Sequence, residues 1–408
     1  MSEILLINAT SYEKRVALLD NGILQEIYIE RRGRKGLVGN IYKGKVSRIL
    51  PGMEAAFVDI GLEKAAFLHV SEIEGDDPNQ SIRDRLNDGQ VVVVQVIKDA
   101  LGSKGVRLTM RLSLPSRYLV FMPENGFFMG ISQRIESEAE RERLKNVLQA
   151  TITEPLPRGA YIVRTAAEGV TSLSEDKRYL DKVWEVVKTR AASAKVGALL
   201  HEDLPLPLRA MRDLVKPQTE KIQVDDKKTF EALQTFVRTF MPAIEEKLEW
   251  YDNARPIFDR YNIEDEIERA LMRRVPLKSG GTVVFDQTEA MTTIDVNTGA
   301  FVGHQNVDDT LFRTNMEAAN AIARQIRLRN VGGIIIIDFI DMVNGEHRRQ
   351  VLRTLEKALQ HDSTKTNISD ISPLGLVQMT RKRTRESLQQ VLCEACPTCE
   401  GRSVVLRT

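Results

Sequence analysis

Two short segments, and the run that joins them, set the terms for this chain. Around Thr293, Ile294, Asp295, Val296 and Asn297 polar and apolar residues alternate. The side-chain period of a strand then puts Asp295 and Asn297 on one face, with Ile294 and Val296 in the core. Ile334 to Ile337 is an unbroken apolar run, expected of a strand covered on both faces, and it ends in Asp338 with Asp341 shortly after. Between the two, RTNMEAANAIARQIRLRN carries an amphipathic helical pattern. If the strands are neighbours joined by that helix in a right-handed crossover, Asp295, Asn297 and Asp338 converge at one sheet edge. A carboxylate closing an apolar strand is costly to bury uncompensated. Two carboxylates and an amide oxygen form a hard-oxygen set suited to Mg2+. Taken singly, each acid reads equally well as a solvated strand end or a helix cap. Two of them, each on an otherwise apolar strand, favour the joint reading.

At 408 residues the chain has length for roughly two to four domains. Hydrophobic content of 42% and charged content of 28% describe a globular protein. A net charge of +1 announces no polyanion partner, so any nucleic-acid surface has to come from local clustering. MSEILLINAT lacks a basic region followed by a long apolar segment, and no run approaches membrane-spanning length, so neither a signal peptide nor a membrane partner is expected. The 3 cysteines, Cys393, Cys396 and Cys399, cluster near the C-terminus. That spacing fits a reducing, cytoplasmic setting and a thiolate metal site better than a disulfide framework.

Residues 1–35 read as an antiparallel meander turning at Asp20-Asn21-Gly22 and ending in a basic run. Residues 36–111 read as five short strands, the pattern of a small OB-type barrel. Tyr42, Phe57 and Phe67 come from its first three strands, with Lys43, Lys45 and Lys104 nearby. Aromatics on a barrel face flanked by lysines make a stacking platform for single-stranded nucleic acid, although any one of them alone is more simply core. In residues 112–206 strands and helices alternate, and AYIVRT places Arg164 and Thr165 at the end of an apolar strand, competent to hold a terminal phosphate. Residues 207–270 supply a strand at Lys221 to Val224 and a helix with core-type spacing. Beyond the central stretch, Arg381, Lys382, Arg383 and Arg385 are expected at a strand-to-helix junction near the metal, where they would bind phosphates.

These pieces together resemble the ribonuclease E/G family. EAMTTIDVNTGAFVG, GGIIIIDFIDM, LGLVQMTRKRTRESL and CPTC carry the likeness, with NIYKGKVSRILPGMEAAFVDIG earlier. The resemblance covers essentially the whole chain and points to the branch without a long disordered tail. It implies a multidomain α/β and α+β architecture. A split RNase H-like domain (1–35 and 207–270) would carry an inserted S1 domain, an OB-type β-barrel (36–111), and a 5′-sensor domain (112–206). A DNase I-like α/β catalytic domain (271–392) and a zinc-link (393–408) would follow.

The same resemblance implies Asp295 and Asp338 as Mg2+ ligands and Asn297 as an assistant at the scissile phosphate. It implies Arg164, Thr165 and the backbone at Val120 as the 5′-monophosphate pocket, and Phe57, Phe67 and Lys104 as S1 contacts to RNA. The residue reading adds Tyr42, Lys43, Arg381 and Arg383 to the RNA-binding set. Cys396 and Cys399 match the family's zinc pair. Structural zinc takes four ligands, so two chains giving two thiolates each would share one Zn2+ in a homodimer. Family members usually continue past the cysteines into a small domain, which this sequence, ending at Thr408, lacks. The implied activity is Mg2+-dependent cleavage of single-stranded RNA, including precursor rRNA and mRNA, to 5′-phosphate and 3′-hydroxyl ends. The competing readings are an mRNA-decay enzyme of the family's other, long-tailed branch, an RNA-binding protein without catalysis, and a DNase. A pure binder has no need of the acid pair, and the S1 and sensor modules argue for RNA.

Overall fold

The computed structural model describes all residues except 1, 34, 74, 76–79, 101–104, 124, 125, 127, 153–158, 299–306, 373 and 400–408. Four sheets organise it. The first has the spatial order Leu248–Trp250, Thr219–Val224, Glu3–Ala9, Glu13–Asp20, Ile23–Arg31. The N-terminal meander thus gains two strands from residues more than two hundred positions away, Leu5 lying beside Ile222 in parallel. Its hairpin turns at Asn21 and Gly22, both with positive φ (48° and 76°), the conformation a tight two-residue turn demands.

The second sheet is a barrel. Ile41–Leu50 pairs with Ala55–Asp59 on one side and closes on Val91–Lys98 on the other. Ala66–His69 and Arg107–Thr109 complete the circuit, and Leu199–His201 adds an edge. Gly44 in the first strand is required by this closure. A Cβ there would sit 2.6 Å from Val58 Cγ1. The third sheet, Phe128–Ile131, Ala160–Val163, Leu119–Met122, Leu114–Pro115, packs against helices Glu138–Thr151 and Ser174–Ser193 through a core centred on Phe121 and Tyr161.

The fourth sheet holds the two acid-bearing strands. Its order is Arg274–Pro276, Thr282–Gln287, Met291–Asn297, Gly333–Asp338, Leu376–Arg381, Thr366–Ile368. Met291–Asn297 and Gly333–Asp338 form its parallel pair, joined by the long helix Val307–Leu328. Two residues past its end, Asn330 takes a left-handed backbone (φ 49°) that prevents the helix from continuing. The helix and its neighbour Gly345–Leu359 share one apolar core with Ile294, Val296, Ile335 and Ile337.

Here the expectation of a strand covered on both faces fails. Ile335 and Ile337 are buried, but Ile334 is 46% exposed and Asp338 is exposed. Both helices pack on the same side of the sheet, so its other face stays open among the described residues. That open face carries the acids. No helix among the described residues is long and apolar enough to cross a membrane.

Candidate active site

Period-two alternation on the Met291–Asn297 strand leaves Thr293, Asp295 and Asn297 exposed and Thr292, Ile294 and Val296 buried. In the parallel register Asp295 lies directly beside Asp338. Neighbouring strands stand about 4.8 Å apart, so the two carboxylates share one patch of the open face. Asn297 Nδ2 donates to Asp295 Oδ2 at 2.7 Å, which ties the exposed amide to the carboxylate. Partial desolvation against the sheet raises the pKa of the exposed Asp338 carboxyl, and repulsion from Asp295 and Asp341 adds to the rise. Such like-charge crowding is relieved by a cation.

The donor set fits Mg2+. Among the described residues no three His, Cys, Asp or Glu side chains form a complete cage for a metal. Mg2+ does not require one, since it commonly takes one or two carboxylates and keeps the remaining positions for water and phosphate. Beside Asp295 and Asn297 lies an open cleft of about 540 Å3, also lined by Arg273, Arg274 and Thr282. Arg273 is held in a bidentate pair with Asp286 (2.5 and 2.6 Å), whereas Arg274 is exposed at the rim. Neither arginine was singled out by the sequence. Their signal is only a basic pair before a short strand.

The basic run at 381–385 is not where the sequence suggested. Leu376–Arg381 runs antiparallel to Gly333–Asp338, with Leu376 opposite Asp338 and Arg381 opposite Gly333. The cations therefore start about 17 Å from Asp338 along the strand. Arg381 is only 5% exposed. Its Nε donates to Asp362 Oδ2 at 2.6 Å and its Nη1 to Asn330 Oδ1 and the Val331 carbonyl, both at 3.0 Å. It is a structural tie rather than an RNA contact. Arg385 stacks 3.8 Å over the Tyr28 ring, and Arg383 Nε donates to the Gly332 carbonyl at 2.9 Å. Arg383 stays exposed, but at the far end from the acids.

On the barrel, Phe57 and Phe67 face each other across neighbouring strands, ring centroids 6.3 Å apart and nearly edge to face. Both are half-buried, and Arg107 lies over the Phe67 ring at 5.6 Å. Arg107 went unnoticed in the sequence because its neighbour across the sheet is forty positions away. Tyr42, expected on the same stacking face as Phe57 and Phe67, does not join them. It is 6% exposed and packs into the barrel core, so it offers no stacking face. Lys43 Nζ donates to the Ala191 carbonyl at 2.7 Å, tying the barrel to the helix at Ser174–Ser193. Lys104 lies outside the described residues.

Arg164 and Thr165 leave the Ala160–Val163 strand at its C-terminal end. Arg164 donates to the Ser116 carbonyl (2.6 Å) and to Asp213 Oδ1 (2.7 Å), and the Thr165 and Ser132 hydroxyls are 3.0 Å apart. Burial pushes the Asp213 carboxyl up, but Arg212 and Arg164 outweigh it and hold the group below its usual range. Val120 sits in an interior strand with Ile162 on one side and Pro115 on the other, two residues past Tyr118, whose carbonyl accepts from Arg164 N. The three residues are thus near one another, with the guanidinium pre-oriented by its acid.

At the C-terminal end of the described chain, Cys393 and Cys396 are exposed and Cys399 partly so. Hydrogen bonds from the Cys399 and Thr398 backbone, then from the Cys399 side chain, lower the Cys396 thiol pKa. A turn that aims N–H groups at one sulfur, with a second sulfur beside it, is a donor set that fits zinc.

Comparison with known proteins agrees with this geometry. Residues 113–384 match the Ribonuclease E/G family and residues 37–111 the S1 RNA binding domain. The chain is 56% identical to Ribonuclease G of Salmonella typhimurium (strain SL1344), over 99% of this chain and 85% of that protein. It is 55% identical to Ribonuclease G of Escherichia coli (strain K12) over the same shares. Identity to Ribonuclease E of Escherichia coli (strain K12) is 41%, over 98% of this chain and 39% of that longer protein. An acid pair on an open sheet face, an S1 barrel and this likeness converge: the chain belongs to the ribonuclease E/G family and is an endoribonuclease.

Proposed function

We propose that this endoribonuclease cleaves single-stranded RNA with Mg2+ held by Asp295 and Asp338, leaving 5′-phosphate and 3′-hydroxyl ends. The observation that carries the reading is the side-by-side register of the two acids on an uncovered face. When bound there, Mg2+ supplies Lewis acidity toward the phosphoryl oxygen and a lowered pKa for coordinated water. Asn297, anchored through its amide nitrogen, presents its oxygen to orient the attacking water. Arg274 at the cleft rim is placed to hold a neighbouring phosphate, a role suited to a guanidinium. Phe57 and Phe67 stack bases on the S1 barrel, so Phe67→Ala should weaken RNA binding by about 1–3 kcal/mol, read by fluorescence anisotropy.

Arg164 and Thr165, with the backbone near Val120, would sense a substrate 5′-monophosphate. Cys396 and Cys399 would share a Zn2+ with a second chain, and precursor rRNA and mRNA in the cytoplasm are the proposed substrates. One experiment tests the core of this. A short RNA carrying either a 5′-monophosphate or a 5′-hydroxyl is offered with Mg2+ and with EDTA. Faster cleavage of the monophosphate and none in EDTA are expected; full activity in EDTA would sink the metal assignment.

A further inference from the structure

Four arginines are buried among the described residues: Arg117, Arg212, Arg329 and Arg381. Arg381 meets Asp362, Arg212 meets Asp203 and Asp213, and Arg117 gives its two Nη groups to the Arg212 and Val215 carbonyls. Arg329 differs. It is 9% exposed, its Nε donates to Gln325 Oε1 at 2.8 Å, and its guanidinium lies 4.3 Å over the Phe285 ring. Among the described residues it has no ion-pair partner, and Nη2 has no acceptor. Burial alone draws its pKa down to about 10. A buried charge with an empty donor is costly, and an anion is what removes the cost.

The space for one is present. Arg329 lines a cavity of about 230 Å3 whose inner wall also holds Phe285, Thr292 and Ser387, the last three buried. Gln389 and the Arg273–Asp286 pair stand at its mouth. Arg273 and Asp286 cancel each other, so the cavity keeps a single uncompensated positive charge on Arg329, flanked by two hydroxyls. This is not the acid site. Thr292 is about 10 Å along its strand from Asp295, and Val331, also in the lining, precedes the Gly333–Asp338 strand at the end opposite Asp338.

We propose that this cavity binds the phosphate group of a small molecule, as orthophosphate or a nucleoside 5′-monophosphate. The Arg329 guanidinium donates to a phosphate oxygen where it lines the cavity, and the Thr292 and Ser387 hydroxyls complete the contact. Equilibrium dialysis of the full chain with radiolabelled orthophosphate tests it, using the wild type, Arg329→Met and Arg329→Lys. Binding of one phosphate per chain is expected, weakened at least tenfold in both variants. A second phosphate held near Arg164 would be recognised by its loss in Arg164→Gln and its survival in Arg329→Met.

Adenosine 5′-monophosphate competing where adenosine does not would assign a nucleotide phosphate. Failure of both to compete would assign orthophosphate. Thermal melting supplies the second readout. Phosphate should raise the wild-type midpoint more than equal ionic strength of chloride does. Arg329→Met should lose that extra rise while melting no lower than the wild type without phosphate. Equal phosphate binding by wild type and Arg329→Met overturns the proposal, as does no binding by the wild type.

Discussion

Asp362 and Asp338 sit in the same domain and live by opposite rules. Asp362 is buried at 1% side-chain exposure and is gripped by Arg381, itself 5% exposed. Asp338 is exposed, and the charges acting on it are two other carboxylates. The first acid is compensated, its two oxygens taken up by Arg381 and the Thr364 N–H. The second is uncompensated and open, which is unfavourable for the protein alone and favourable for a cation. Partnering, more than acidity or position on a strand, separates a carboxylate that holds the fold from one that does chemistry.

The largest effect should come from the unpartnered acids. Asp295→Asn or Asp338→Asn should lower single-turnover cleavage by about 10³-fold or more, several kcal/mol of metal-derived stabilisation being lost. RNA binding should persist, and the melting temperature in EDTA should hold or rise because repulsion is relieved. A variant cleaving at near wild-type rate would erase the contrast.

Asp362→Asn should do the reverse. It leaves Arg381 buried without its counter-charge, at a cost of about 3–5 kcal/mol in urea unfolding. A milder result would mean that Asn330, Val331 and Thr364 satisfy the guanidinium unaided. Replacing both partners, Asp362→Leu with Arg381→Met, should recover part of that loss. About 1–3 kcal/mol should remain, because the Val331 carbonyl and Asn330 Oδ1 lose their donor. Full recovery would show the pair to be interchangeable with an apolar contact.

Asp213 lies between the extremes, since Arg164 and Arg212 both hold it while it remains part-exposed. Its folded pKa is depressed below 3.8, so its contribution is fully present above that pH and lost as pH falls through the folded value. The stability difference between wild type and Asp213→Asn should therefore shrink below about pH 4, and a pH-independent difference would remove the ion-pair account.

How much of this was readable beforehand follows from the range of each signal. An acid at the end of an apolar run is a local signal, so Asp295 and Asp338 could be picked out, as could the helix that joins their strands. The direction of Leu376–Arg381 is a tertiary fact, and without it the basic run was placed at the wrong end of the sheet. Tyr42 shows the cost of a one-residue ambiguity. Tyr42 lies in the glycine-containing strand Ile41–Leu50 that closes the barrel, and the sequence marks neither face of that strand as inner. Asp213 as the partner of Arg164, and Arg107 over Phe67, join residues tens of positions apart with no shared motif.

The sheet that begins the chain has a consequence for its synthesis. Glu3–Ala9 cannot be flanked on both sides until Thr219–Val224 has been made. At elongation rates of about 5–20 residues per second, roughly 10–40 s pass with one edge of the nascent meander open. The S1 barrel, contiguous apart from its Leu199–His201 edge, can close within that interval. Such an order makes the first strands of this enzyme the segment most in need of shelter at the ribosome.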